Sequence, residues 1–213
     1  LESGKQLAAG GGSLTALSIG SEAALGSSKI QKDILSRGAD ELKLVMDDGK
    51  PFQDSLQTAK AIAEAVGTIG QYDLVLCGMG SSDLYFQEVG VQVGELLGVP
   101  ALNNVTGIKP AGEGVLEVER TLEDEVEVLE VPLPAVLSVS SEINTPSVPA
   151  MRDIMRAGKK PVDKLDCQGG GEPSLRILQQ LAPQQQERRK ELVEGDGEEA
   201  VDALVRFLKK EGF

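Results

Sequence analysis

Apolar and polar positions follow two rhythms along this chain, and the change of rhythm divides it. Through the first hundred residues, short apolar runs bounded by turn formers alternate with stretches of helical spacing. Residues 14–18 and 42–46 read as buried strands, the second ended by Asp47-Asp48-Gly49, and Asp73-Leu74-Val75-Leu76-Cys77 reads as a third. Residues 1–9 read as a helix end stopped by Gly10-Gly11-Gly12, and residues 22–36 as one helix stopped near Gly38. Asp54 with Gln57 predicts a capped helix whose Leu56, Ala59, Ile62, Ala63 and Val66 share a face. Residues 87–97 predict another, with Val89, Val93, Leu96 and Leu97 on one stripe. Its Gly90, Gly94 and Gly98 recur every fourth residue, a groove where a second element can pack closely. Strands alternating with helices of this length predict βαβ units, hence an α/β fold with a doubly wound, mostly parallel sheet. Such a domain ordinarily opens with a strand. This sequence opens in a helix, so a leading strand is expected to be missing from it.

Beyond Pro100 the rhythm becomes strict alternation. Residues 108–109, 115–122 and 126–131 interleave apolar and charged side chains around turns at 111–114 and 123–125. That predicts antiparallel hairpins with one solvated face. Residues 134–140 read as a further buried strand. A loop with two prolines, residues 142–151, leads into a short basic stretch at 152–160. A Gly-rich linker at 167–173 and a polar stretch at 179–191 precede a terminal helix at 196–212, with Val201, Leu204, Val205 and Leu208 on one stripe. Its leading acids and trailing Lys209-Lys210 suit the helix dipole. The expected division is a nucleotide-binding α/β domain over residues 1–162 and a C-terminal arm over residues 163–213.

Composition narrows the chemistry. A length of 213 residues with 26% charged suits one α/β domain with an appendage. The net charge of −13 argues against nucleic acid or an anionic membrane surface as the main partner. No apolar run approaches the ~20 residues of a membrane-spanning helix, and no signal peptide is visible. Cys77 in a buried strand and Cys167 in a distant polar linker do not suggest a disulfide, which points to a reducing, cytoplasmic setting. The chain has no histidine, so serine–histidine triads and histidine metal sites are excluded. Two separated cysteines do not build a zinc or iron–sulfur site by themselves. The expectation is a binder with no catalytic residue and no metal.

Three stretches carry candidate chemistry. Gly78-Met79-Gly80-Ser81-Ser82-Asp83 stands between a strand and a helix, where glycines let backbone N–H groups approach a ligand and the helix directs its positive end. That predicts a nucleotide or phosphate site. The third glycine of a dinucleotide fingerprint and a Walker lysine are both absent, so the pattern alone leaves an ordinary βα turn equally open. Residues 113–130 hold eight acids against Arg120, which reads as a solvated, edge-protecting pattern rather than a docking surface. Met151, with Arg152, Arg156, Lys159 and Lys160 behind it, has the makings of a docking finger on a proline-stiffened loop. A methionine folded back into the core fits the same residues.

At Leu74-Val75-Leu76-Cys77-Gly78, at Val131-Pro132-Leu133-Pro134-Ala135-Val136 and at Asn144-x-Pro146, the sequence resembles the electron-transfer flavoprotein beta subunit. Val118-Glu119-Arg120, Ile154-Met155-Arg156-Ala157 and Lys159-Lys160-Pro161 extend the resemblance, which runs from about residue 14 to 161. Residues 33–38, 80–85 and 194–199 look like the Fix-type branch of that family. The resemblance implies an adenine-nucleotide alpha-hydrolase-like, Rossmann-like fold and a heterodimer with an alpha subunit. It also implies FAD shared with that subunit, a second nucleotide that is AMP or a second FAD, and dehydrogenase or quinone-oxidoreductase partners.

Residue by residue, the family's nucleotide contacts fall on Ser18, Ile19 and Gly20, and on residues 78–89 with Gly78, Met79, Gly80, Ser81, Ser82, Asp83, Gln87, Glu88 and Val89. The family's first strand and the loop after it have no counterpart here. Phe86 replaces the hydroxyl of the housekeeping turn and Glu88 an amide, which puts AMP in its usual pose in question unless the carboxylate turns away. The partner-recognition loop aligns with residues 144–156, with Asn144, Pro146 and the apolar anchor Met151. Thr121 stands where an acid commonly follows the arginine, so that acid's role does not carry over. Two rival expectations remain. One is a nucleotide-sensing α/β domain of the universal-stress type with no electron-transfer role; the other, a hydrolase or ligase of the same superfamily, lacks a catalytic constellation.

Overall fold

In the computed structural model the chain is described at residues 1–46, 54–82, 84–166, 173–179, 181–182, 184 and 191–213. The Asp47-Asp48-Gly49 stop, Asp83, Cys167 and most of the expected linker lie outside them. Two compact units are present, Leu1–Arg176 and Ile177–Phe213.

The first unit is a mixed α/β fold with parallel-rich sheets. Helix α1 (Glu2–Ala8) precedes β1 (Thr15–Gly20), the short α2 (Glu22–Leu25) and α3 (Ser28–Ser36). The single helix expected over 22–36 is therefore broken, because Gly26 ends one helix and Ser27, in extended backbone, precedes the next. Strand β2 (Glu41–Met46) leads to α4 (Ser55–Ile69), β3 (Leu74–Gly78) and α5 (Val89–Leu97). Helix α5 starts two residues later than its periodicity predicts, since Gln87 sits at φ 60° and Glu88 forms the N-cap.

The hairpin region is β4 (Ala101–Gly112), β5 (Val115–Thr121) and β6 (Val126–Pro132), followed by β7 (Ala135–Val139), α6 (Met151–Ala157) and β8 (Val162–Leu165). Two strands exceed the expectation. Strand β4 begins at Ala101, where it runs parallel to β7, and turns into an antiparallel partner of β5 after a register shift. Asn104 at φ 55° makes that irregularity, and the Asn-Asn pair disguises the strand as a loop. Strand β8 was hidden by its charge, with Asp163 and Lys164 in four residues.

The strands form two sheets, ordered β1-β2-β8 and β3-β7-β4-β5-β6. Among the described residues β1 pairs only with β2, and β3 only with β7, so each presents an unpaired edge. Period-two alternation then fills both faces. Ala16, Leu42 and Leu44 pack with Leu35 of α3 and Ala157 of α6, while Leu17, Ile19 and Val45 pack with Ala65 of α4. In the second sheet Leu74, Leu76, Ala135 and Leu137 face one cluster, and Val75, Cys77 and Val136 face Ala59 of α4 and Val93 of α5.

Helix α4 thus packs on both sheets, so its buried side is wider than one stripe and takes in Gln57, Ala61 and Ala65. On the opposite side α1 lies close enough that a Cβ at Gly4 would touch Leu14 and Leu76. Leu96, expected on the buried stripe of α5, is exposed. The second unit holds α7 (Glu198–Glu211), whose Val201, Leu204, Val205 and Leu208 are all exposed.

Candidate functional site

Ser18, Ile19 and Gly20 close β1, where Gly20 sits beside Met46 at the end of β2. Gly78 closes β3, and Met79, Gly80, Ser81, Ser82 and Gln87 form the turn that leads to Glu88 and Val89 at the start of α5. The two stretches therefore stand at the C-terminal ends of parallel strands, in two different sheets. The Ser55 hydroxyl, at the start of α4, donates to the Glu88 carboxylate at 2.6 Å. That bond joins the segments leaving β2 and β3, so both strands end on the same edge of the unit. Open parallel sheets bind ligands at that edge.

The turn is held in an unusual backbone state. Tyr85 at φ 52° and Gln87 at φ 60° both adopt the left-handed region, which costs roughly 1–3 kcal/mol apiece for residues with side chains. Phe86 is displayed between them. Gly80 lies under the Tyr85 ring, 2.8 Å from where a Cβ would reach the ring edge, so the ring's position requires glycine there. Gly78 is different: a Cβ at that position would project into open space, leaving its backbone free for close approach by a ligand. Ser81 and Ser82 are exposed beside it.

Leu84, Tyr85 and Phe86 are 62%, 50% and 52% exposed in succession. Three large apolar residues in an exposed turn of a chain with few aromatics are a signal that was present in the sequence.

The Glu88 carboxylate is engaged within the unit. It is turned onto Ser55 and also accepts from the Gln92 amide at 3.4 Å. Gln92 Oε1 is buried and has no hydrogen-bond partner among the described residues. The two glycines that follow seat α5 on its sheet. A Cβ at Gly90 would overlap the Ser138 hydroxyl, and one at Gly94 would overlap the Ala101 Cβ. Gly98 serves otherwise, ending the helix in the left-handed conformation at φ 67°. The expected groove is therefore occupied by β7 and β4 of the same unit.

The docking loop is anchored where its prolines gave no hint. The Asn144 amide donates to the Ser3 hydroxyl at 2.6 Å, and the Ser147 N–H and hydroxyl donate to Glu2 at 3.2 and 2.7 Å. The two Ser147 bonds hold the Glu2 carboxyl below its usual range, and all three fasten the loop to α1. Asn144 is thus engaged inside the unit, while Pro146 is exposed. Met151 begins α6 rather than tipping the loop, and at 72% exposed it does not fold back into the core. Ile154 and Met155 are exposed beside it. Of the expected basic cluster, Lys160 is withdrawn, donating to the Leu35 and Ala39 carbonyls that end α3.

Burial pushes the Cys77 thiol up to about 11, which keeps it protonated and unreactive. No group of histidine, cysteine or carboxylate side chains among the described residues is arranged to hold a metal ion. No helix among them is long and apolar enough to cross a membrane. A wide open cavity lies at the opposite end of β3, lined by Gly67, Gly70, Gln71, Tyr72 and Asp73. It offers neither a helix start nor a hydroxyl turn, so the strand C-terminal edge is the better candidate. The family model for the electron transfer flavoprotein domain matches residues 1–168.

Proposed function

The chain belongs to the electron transfer flavoprotein family, and from that premise we propose that it is the beta subunit of a Fix-type heterodimer. Its role is to cover FAD shared with an alpha subunit, to hold a second nucleotide, AMP or FAD, and to pass electrons between a dehydrogenase or other donor and an acceptor. The observation that carries the reading is the β3–turn–α5 unit: an unobstructed Gly78, exposed Ser81 and Ser82, and a Glu88 carboxylate tied to Ser55 instead of pointing into the turn. This donor set fits a phosphate, because two exposed hydroxyls and the start of α5 belong to one turn that follows the C-terminal end of β3.

The flavin, when bound, supplies the electron transfer; the protein binds, orients and shields it. Gly78 lets the backbone approach the phosphate end, Ser81 and Ser82 donate to it, and Phe86 and Tyr85, whose ring covers Gly80, offer apolar surface beside it. Ser18 to Gly20 would complete the edge from β1. Exposed Met151, on a segment fastened to α1, is the anchor for the redox partner. No residue of this chain needs to act as acid, base or nucleophile. The family match favours this reading over a stress-type nucleotide sensor.

The test is coexpression with an alpha subunit. A yellow heterodimer that shuttles electrons from a dehydrogenase to an acceptor supports the reading. Failure to form a flavin-bearing complex, or a chain that binds nucleotide with no redox activity in any pairing, overturns it.

A further inference from the structure

Asp54 holds two distant parts of the chain at once. One carboxylate oxygen accepts from the Gln57 N–H at 2.7 Å and caps α4. The other accepts from the Ser174 N–H at 2.5 Å and the Leu175 N–H at 3.2 Å. Asp54 is 8% exposed, so this carboxylate is nearly withdrawn from water. An N-cap needs a single oxygen acceptor, and serine or threonine supplies one. The second oxygen therefore has a task that capping does not explain.

The segment it holds has no regular structure of its own over residues 173–179. Its backbone donors would otherwise face solvent. It also stands at a boundary, since the first unit ends at Arg176. A buried carboxylate is costly unless its oxygens are hydrogen-bonded, and Ser174 and Leu175 satisfy the oxygen that α4 leaves unused. The dependence runs both ways: Asp54 places the segment, and the segment supplies the donors that a withdrawn carboxylate needs. The next residue, Ser55, ties the same helix start to Glu88 of the 78–89 turn.

We propose that Asp54 is a latch, a positioning residue that fixes where the chain leaves the first unit by clamping Ser174 and Leu175 to the start of α4, beside the 78–89 turn. The inference rests on these bonds and does not depend on which ligand the turn takes.

The experiment uses the full chain and separates clamping from capping. Asp54→Ser keeps a cap acceptor for the Gln57 N–H but has no second oxygen. Asp54→Asn keeps the shape and the cap oxygen while turning an N–H toward the Ser174 and Leu175 donors. Hydrogen–deuterium exchange is read at residues 174–175 and across α4, and trypsin cleavage is timed after Arg176. Loss of hydrogen bonds to a charged group predicts roughly tenfold or faster exchange at 174–175 and faster cleavage, with α4 unchanged. Ser55→Ala, which removes the hydroxyl shared by Glu88 and Gln92 and keeps the Asp54 carboxylate, leaves 174–175 protected. Wild-type exchange at 174–175 in both Asp54 variants, or a rise shared equally with α4, overturns the latch and leaves only a helix cap.

Discussion

Two glycines in neighbouring helices respond to alanine in opposite directions, and the contrast tests how α5 is seated beneath the candidate site. Gly67 lies in the last turn of α4 with nothing within 4 Å of an added Cβ. Alanine there gains helix propensity, about 0.5–1 kcal/mol. Gly94 lies inside α5, where an added Cβ overlaps the Ala101 Cβ and stands 3.4 Å from the Val99 carbonyl oxygen. Both neighbours are fixed to the backbone, so no rotamer change relieves the overlap and the helix must recede from β4. Overpacking of this kind costs about 1–3 kcal/mol, and an overlap with backbone-fixed atoms belongs toward the upper end. The propensity gain offsets about 1 kcal/mol of it, leaving a net loss of about 1–2 kcal/mol. At roughly 2–4 °C per kcal/mol for a chain of this size, Gly94→Ala lowers Tm by roughly 2–8 °C, while Gly67→Ala raises it by roughly 1–4 °C. The assay is thermal unfolding by circular dichroism, with all three proteins in the same oligomeric state. A Gly94→Ala protein as stable as Gly67→Ala would show that α5 is not seated at this distance, and the geometry of the turn it carries would fall with it.

Met151→Ala should leave Tm within about 1 °C, since an exposed side chain away from the core contributes little, yet weaken transfer to the redox partner by roughly tenfold or more; a large Tm drop with normal transfer contradicts the anchor. Asp54 has its carboxyl held below the ordinary aspartate value, chiefly by the Gln57 N–H. Its contribution to stability is therefore complete above that value and is lost as pH falls through the lower folded value, so wild type should lose more stability than Asp54→Asn on acidification in that window; parallel curves refute the assignment. The edges of β1 and β3 that are unpaired among the described residues predict self-association of the chain by itself, relieved by the proposed alpha subunit. A monodisperse, cooperatively melting monomer in sedimentation and calorimetry would contradict this. Gly80→Ala displaces the Tyr85 ring alone, and Gly80→Asp adds a negative charge; only the second should also repel a phosphate, so equal nucleotide affinity in the two variants removes Gly80 from the phosphate path.

What the sequence made legible was what local chemistry dictates. Apolar runs at residues 42–46 and 73–77, the Asp54–Gln57 cap and the alternation at 115–131 all express short-range rules, and the elements stand there. Long-range effects were not legible. The glycines of α5 announced close packing but not that β7 and β4 would take it. Helix α4 shows the same limit, because a single-stripe periodicity does not disclose a helix wedged between two sheets. Glu88 read as repulsive unless turned away, and nothing in the sequence pairs it with Ser55, which follows a different strand. Asn144 and Lys160 looked available for partners until their acceptors on α1 and at the end of α3 were in view.

The central claim is that the edge formed by Gly78, Ser81, Ser82 and the start of α5 holds the phosphate end of an adenine nucleotide within a flavin-bearing heterodimer. The direct measurement is chromatography of the nucleotides released on denaturing that purified heterodimer, compared with Gly80→Asp. The account predicts AMP or additional FAD beyond the shared flavin in the wild type, and loss of that second nucleotide with retention of the shared FAD in the variant. A wild-type complex that releases no second nucleotide, or a variant that retains it in full, would contradict the account.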